Sequence, residues 1–338
     1  MKVRPAAGVL PALFASLACG SVEPIVSCDA VGAATPLCGF QNPEDLALLP
    51  DGRHVIVSEY GDGGTRPGRI SLLDLESGQR EILFAGGEPA GPGPWGAPDC
   101  EGPPTTAFSP HGIHLAPRAD GHLQLLVVQH GGRESVEMFQ VLPEGGGIAL
   151  VWRGCALAPD QSALNDVVAV PEGGFLATRM VGVPLGYARA ALFGSESGWV
   201  YAWTRDGGFS EVPGTRAALP NGIELSADGE KIFLNATLGN EVRRVDRRTG
   251  AVEARAEVSL PDNSTWTRDG RLLVASLRST FREIVGCSGL ERGSCPAAFA
   301  IVAVDPSTLA TQVVYEGGRG TPSGAGTVGL ETDAGLLI

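Results

Sequence analysis

A short apolar run, a glycine-bearing turn and a second apolar run recur six times along this chain of 338 residues. The copies are Asp45–Tyr60, Gly112–His130, Asp166–Arg179, Gly222–Ala236, Asn263–Ser276 and Val328–Ile338. Alternating β-branched residues around such a turn form a β-hairpin. Further hairpin-like stretches lie between the copies, among them RISLLDLESGQREILF and EVRRVDRRTGAVEARAEV. Two hairpins make four strands, and four strands in a repeat of roughly 40–70 residues make a propeller blade. The reading is all-β: a six-bladed β-propeller, with an incomplete last blade left open. A β-sandwich would explain the strands but not the period.

Composition agrees with short strands and tight turns. Gly occurs 48 times and Pro 25 times, while 43% of residues are hydrophobic and 19% charged, enough apolar content for a sizeable core. A net charge of −13 argues against a nucleic-acid partner.

The repeat also aligns polar residues. Counting back eight positions from Gly52, Gly173, Gly229, Gly270 and Gly335 reaches Glu44, Asn165, Asn221, Asp262 and Thr327. In the second unit Gly121 lies ten positions after His111. Each of these residues opens an innermost strand, and innermost strands line the channel of a propeller. The six therefore form a ring at one end of that channel. Asp45, Gly112, Asp166, Gly222 and Asn263 form a second set beside it. Carboxylate and amide oxygens converging on an axis suit a hard cation such as calcium, which takes six to eight oxygen ligands. Two facing carboxylates in a narrow channel would otherwise be costly.

The N-terminus reads as an export signal over residues 1–19, followed by an N-terminal segment at 20–40 and the propeller at 41–338. Lys2 and Arg4 precede an apolar stretch from Val9 to Ala18, too short for the ~18 residues of a membrane span. Ser16-Leu17-Ala18-Cys19-Gly20 resembles a bacterial lipobox, which makes Cys19 a candidate lipid anchor and the only expected link to a membrane. The expected location is the cell envelope or the exterior. Six cysteines remain, an even number suited to an oxidising compartment. Short loops favour Cys28–Cys38 and Cys287–Cys295, leaving Cys100 with Cys155.

Several strings resemble the paraoxonase/arylesterase family, itself related to gluconolactonase-like propellers. They are Glu44-Asp45, Ser109-Pro110-His111-Gly112-Ile113, Leu164-Asn165-Asp166-Val167-Val168, Asn221-Gly222-Ile223 and Asp262-Asn263, with Leu126-Val127-Val128-Gln129-His130 in the second unit. The resemblance implies two calcium ions. Glu44, Asn165, Asn221, Asp262 and Asn263 would hold a catalytic ion; Asp45, Asp166 and the backbone carbonyl of Ile113 would hold a structural one. His111 and His130 would activate water. The implied activity is hydrolysis of lactones or aryl esters, with a small lactone or ester as substrate. The alternative is a non-catalytic, calcium-stabilised envelope propeller that binds a ligand or partner. No G-x-S-x-G nucleophile elbow is present.

The chain departs from the family in two places. Thr178-Arg179-Met180 replaces a polar Asn-Asp-His stretch, and the sequence ends in mid-strand at Leu336-Leu337-Ile338. His54, His114 and His122 match no role and are expected on the surface or in strands. Glu196 and Trp199 are expected in loop and core.

Overall fold

The computed structural model describes residues 22–62, 66–87, 95–144, 147–182, 185–280, 283, 286–287 and 290–338. The expected export signal and Cys19 lie outside the described residues. Among those described, no helix is long and apolar enough to cross a membrane.

Five four-stranded antiparallel sheets follow one another around an axis. The first blade holds β1 (Pro43–Leu48), β2 (His54–Glu59), β3 (Arg69–Asp74) and β4 (Arg80–Phe84). The second holds β5 (Pro110–Pro117), β6 (Leu123–Gln129), β7 (Ser135–Glu144) and β8 (Gly147–Leu157). The third holds β9 (Leu164–Ala169), β10 (Phe175–Arg179), β11 (Trp199–Thr204) and β12 (Gly208–Glu211), with the short helix α1 (Gly186–Phe193) between β10 and β11. The fourth holds β13 (Pro220–Leu225), β14 (Lys231–Ala236), β15 (Glu241–Asp246) and β16 (Val252–Glu257). The fifth holds β17 (Pro261–Trp266), β18 (Leu272–Leu277), β19 (Phe299–Val304) and β20 (Thr311–Gly317).

The propeller thus has five blades among the described residues, not the six expected from the repeat. The sixth copy forms only a two-stranded hairpin, β21 (Leu330–Thr332) with β22 (Gly335–Leu337). A blade needs an inner and an outer hairpin, and this copy supplies one hairpin of three-residue strands. It fills the gap between the last blade and the first, touching both β17 and β1. Val328 and Leu330 pack there against Leu46, Val55 and Val57 of the first blade.

The core lies between neighbouring blades. Ile56, Ile70 and Phe84 of the first blade pack on Leu125, Phe139 and Trp152 of the second. Leu126, Val128 and Met138 of the second pack on Phe175, Tyr201 and Trp203 of the third. Each blade therefore buries both faces of its inner strands, whereas the outermost strands β4, β12, β16 and β20 are largely exposed. Inner strands are also tied to one another. Asp45 accepts the Ile113 N–H of the second blade at 2.7 Å, and Asp166 accepts the Ile223 N–H of the fourth at 2.8 Å. Three disulfides, Cys28–Cys38, Cys100–Cys155 and Cys287–Cys295, join the pairs expected from loop length.

Candidate functional site

The ring residues occupy one structural position. Glu44, His111, Asn165, Asn221 and Asp262 are each the second residue of an innermost strand. Four of those strands open on proline, which has no N–H to give a ladder and suits a first strand position. In all five blades the pairing of the first two strands shifts register at this point. A β-bulge bends the strand and re-aims a side chain that would otherwise lie in the ladder. Leu219 and Leu260, just before two of the prolines, have φ of 57° and 38°. Such left-handed backbone at a branched residue costs about 1–3 kcal/mol and is retained where the surroundings fix it.

The amide groups share an orientation. The Asn165 amide N–H donates to the Met180 sulfur at 3.3 Å. That of Asn221 donates to the Asp262 carboxylate. That of Asn263 donates to the backbone oxygen and Oε1 of Glu44 at 3.1 and 3.2 Å. Every nitrogen end is engaged. The Oδ1 atoms of Asn165, Asn221 and Asn263 are buried with no hydrogen-bond partner. Buried polar atoms are nearly always paired, so three orphaned oxygens, two on the ring and that of Asn263 from the set beside it, point to an absent electron-pair acceptor.

The carboxylates agree. Burial pushes Glu44 well above its ordinary value, reinforced by the charges of Asp262, Asp45 and Asp166. Burial likewise pushes Asp262 and Asp45 up to about 7, and Asp166 well above its usual range. No arginine or lysine pairs with any of them among the described residues. Glu44 has only His111 within ion-pair distance, with Nε2 3.5 Å from Oε1. No three His, Cys, Asp or Glu side chains converge as a metal-binding group there. The ring instead offers two carboxylates and three amide oxygens, a donor set suited to a hard cation. Thr327, the sixth expected ring member, donates its hydroxyl to the Glu44 backbone oxygen at 2.8 Å.

Below the ring, Asp45, Asp166 and Ile113 line a cavity of about 200 Å³. Ile113 contributes its N–H to Asp45 here. Sequence reasoning missed Glu224, which lines the same cavity and is pushed up to about 8 by burial and by the charge of Asp45. Glu224 stands two residues beyond Gly222 in β13, and strand alternation could have found it. His114, expected on the surface or in a strand, also lines this cavity and is pushed down to about 4 by burial.

The two histidines meet at the ring. His111 Nδ1 lies 2.9 Å from the Asn165 carbonyl oxygen. A carbonyl only accepts, so Nδ1 carries the proton and Nε2 is a bare lone pair. Burial, then the charge of His130, push His111 down to about 3, and the bond to Asn165 opposes them in part. His111 is therefore neutral at physiological pH. His130 packs edge-on against it, with ring centroids 5.1 Å apart. Tyr60 packs edge-on against both rings, at 5.0 and 5.9 Å. The departing segment Thr178-Arg179-Met180 supports the site. Thr178 Oγ1 accepts the Asp166 N–H at 2.9 Å, and Met180 holds the Asn165 amide. Trp199 is buried beneath the guanidinium of Arg179, in the core as expected. His54 opens β2 beside Asp51, and His122 lies directly before β6 beside Asp120.

No family model matches the chain. No curated protein matches it either. Solved structures do. A gluconolactonase from Xanthomonas campestris is 17% identical, with 99% of this chain and 95% of that one covered and a TM-score of 0.50. Regucalcin from Agrobacterium tumefaciens, described as a calcium-binding protein, is 15% identical, with 88% and 81% covered and a TM-score of 0.50. A luciferin-regenerating enzyme is 12% identical, with 88% and 82% covered and a TM-score of 0.51. The fold is similar to that of these propellers. At these identities the likeness extends to the fold alone.

Proposed function

We propose that the protein is a calcium-dependent hydrolase of lactones or aryl esters. The observation that carries this reading is the ring itself: two buried carboxylates without a cationic partner, beside three amide oxygens without donors. Glu44, Asn165, Asn221, Asp262 and Asn263 would hold one calcium ion. Asp45, Asp166 and Ile113 would hold a second. Calcium on the ring would polarise a substrate carbonyl and balance the negative charge that develops on its oxygen. The gluconolactonase and calcium-binding regucalcin among the similar folds support this, as does the resemblance to paraoxonases.

His111 supplies the base. Its Nε2 lone pair takes a proton from water while Nδ1–H stays bonded to the Asn165 carbonyl, so the ring need not turn between protonation states. Tyr60 packs edge-on against both imidazoles. The three disulfides support an exported protein.

Lactones, aryl esters and phosphotriesters should be assayed with and without EDTA. Hydrolysis of a lactone or aryl ester that EDTA abolishes and calcium restores is the expected result. Hydrolysis indifferent to EDTA overturns the metal requirement. Calcium-dependent stability with no hydrolysis favours the non-catalytic alternative.

A further inference from the structure

We propose that Glu134 is a positioning residue that fixes the tautomer of His130. Its consequence for turnover rests on the hydrolase reading; the tautomer itself does not.

Both Glu134 carboxylate oxygens lie 2.9 Å from His130 Nδ1. The local chain makes this contact possible. The His130 N–H donates to the Ser109 carbonyl at 3.1 Å, which anchors the start of the turn between β6 and β7. Gly131 then passes so close to the preceding loop that a Cβ would sit 1.5 Å from the Ala107 carbonyl oxygen. Gly132 follows at a φ of 79°. These two glycines bend the chain tightly enough to return Glu134 over His130 four residues later. The Glu134 carbonyl oxygen, accepting the Ala158 N–H at 2.9 Å, holds the far end of the turn.

The neighbouring charge does not compete. Arg133 is committed to Glu137 through contacts of 2.7–2.9 Å. Among the described residues, His130 is the only ion-pair partner of Glu134. The two side chains are 10% and 18% exposed, so the contact is largely shielded from water. A carboxylate only accepts, which places a proton on His130 Nδ1, so that in the neutral ring Nε2 is the lone pair. The ring also packs edge-on against His111 and Tyr60. Both histidines of the pair are thereby held in the Nδ1–H form, His111 by a carbonyl and His130 by Glu134. Each presents Nε2 as its acceptor.

The test is long-range ¹H–¹⁵N NMR on histidine-labelled protein, which reads the tautomer directly, together with steady-state kinetics. The wild type is expected to show His130 as Nδ1–H. Glu134→Leu should shift it toward Nε2–H and lower kcat about tenfold or more, with KM little changed. Glu134→Gln, whose amide oxygen still accepts, should retain the tautomer and lose less. Glu134→Ser replaces the leucine variant if that one does not fold. Wild-type His130 in the Nε2–H form, or an unchanged tautomer in Glu134→Leu, overturns the proposal. The expected tautomer shift in a protein that hydrolyses no substrate of the panel leaves the role of Glu134 standing and removes only the hydrolase reading.

Discussion

Asn263 in the fifth blade donates its amide N–H to both the backbone oxygen and the side chain of Glu44 in the first, across 219 residues of sequence. One contact therefore does two things. It links the last blade to the first, and it engages the nitrogen end of the Asn263 amide while its Oδ1 stays buried without a partner. Ring closure and the proposed cation site therefore share these two residues.

Calcium should therefore stabilise the fold. With free calcium at a hundred times its Kd, the gain is about 2.7 kcal/mol for a single site. Scanning calorimetry should show a melting temperature a few degrees higher with calcium than with EDTA. Glu44→Gln should remove the part of the difference that an ion on the ring supplies and leave the part due to the lower site.

The calcium-free protein should lose stability as pH rises. Asp45 and Asp262 are pushed up to about 7 and Glu224 to about 8, all above the unfolded values near 4. Between those limits the folded state binds more protons than the unfolded state. Its contribution is full below about pH 4 and is lost as pH climbs through 7 to 8. Urea denaturation in EDTA at pH 5 and pH 8 should give the higher midpoint at pH 5. Saturating calcium should shrink or reverse the difference, because the bound ion requires ionised carboxylates.

His111→Gln should separate chemistry from metal binding. Loss of a general base costs about 10²–10⁴ in kcat. Calcium affinity, measured by calorimetry, should stay within a fewfold of wild type, since the imidazole is not among the proposed ligands.

Gly112→Ala should destabilise the fold. The new Cβ would meet Asp166 Oδ1 at 2.5 Å and the Asn165 carbonyl oxygen at 2.7 Å. The Asp166 Cα, at 2.6 Å, and the Asn165 carbonyl are backbone and leave little room to give, and overpacking of this kind costs about 1–3 kcal/mol. Chemical denaturation measures it directly.

Much of the site was readable because the inner hairpin has nearly constant length. A fixed distance from the turn glycine located Glu44, Asn165, Asn221 and Asp262 on a common level, and the disulfide pairs followed from loop length. The blade count was not readable in the same way. The inner hairpin announces itself with a turn glycine in every copy, but a blade also needs an outer hairpin, and among the described residues the last copy forms one hairpin alone. The bulges were hidden as well. The proline ahead of Glu44, His111, Asn221 and Asp262 was visible, yet a register shift belongs to a pair of strands and not to either alone. Glu134 escaped notice because its partner is reached only through a turn that depends on Gly131 packing against Ala107. Met180 looked like a departure from the family, and its thioether proves to hold the Asn165 amide.

Calcium titration by calorimetry, comparing chelator-treated wild type with the Glu44→Gln/Asp262→Asn double variant, tests the ring most directly. Two equivalents bound by the wild type and one by a folded double variant is the predicted result. A wild type that binds no calcium, or a double variant that binds it with unchanged stoichiometry and affinity, would contradict it.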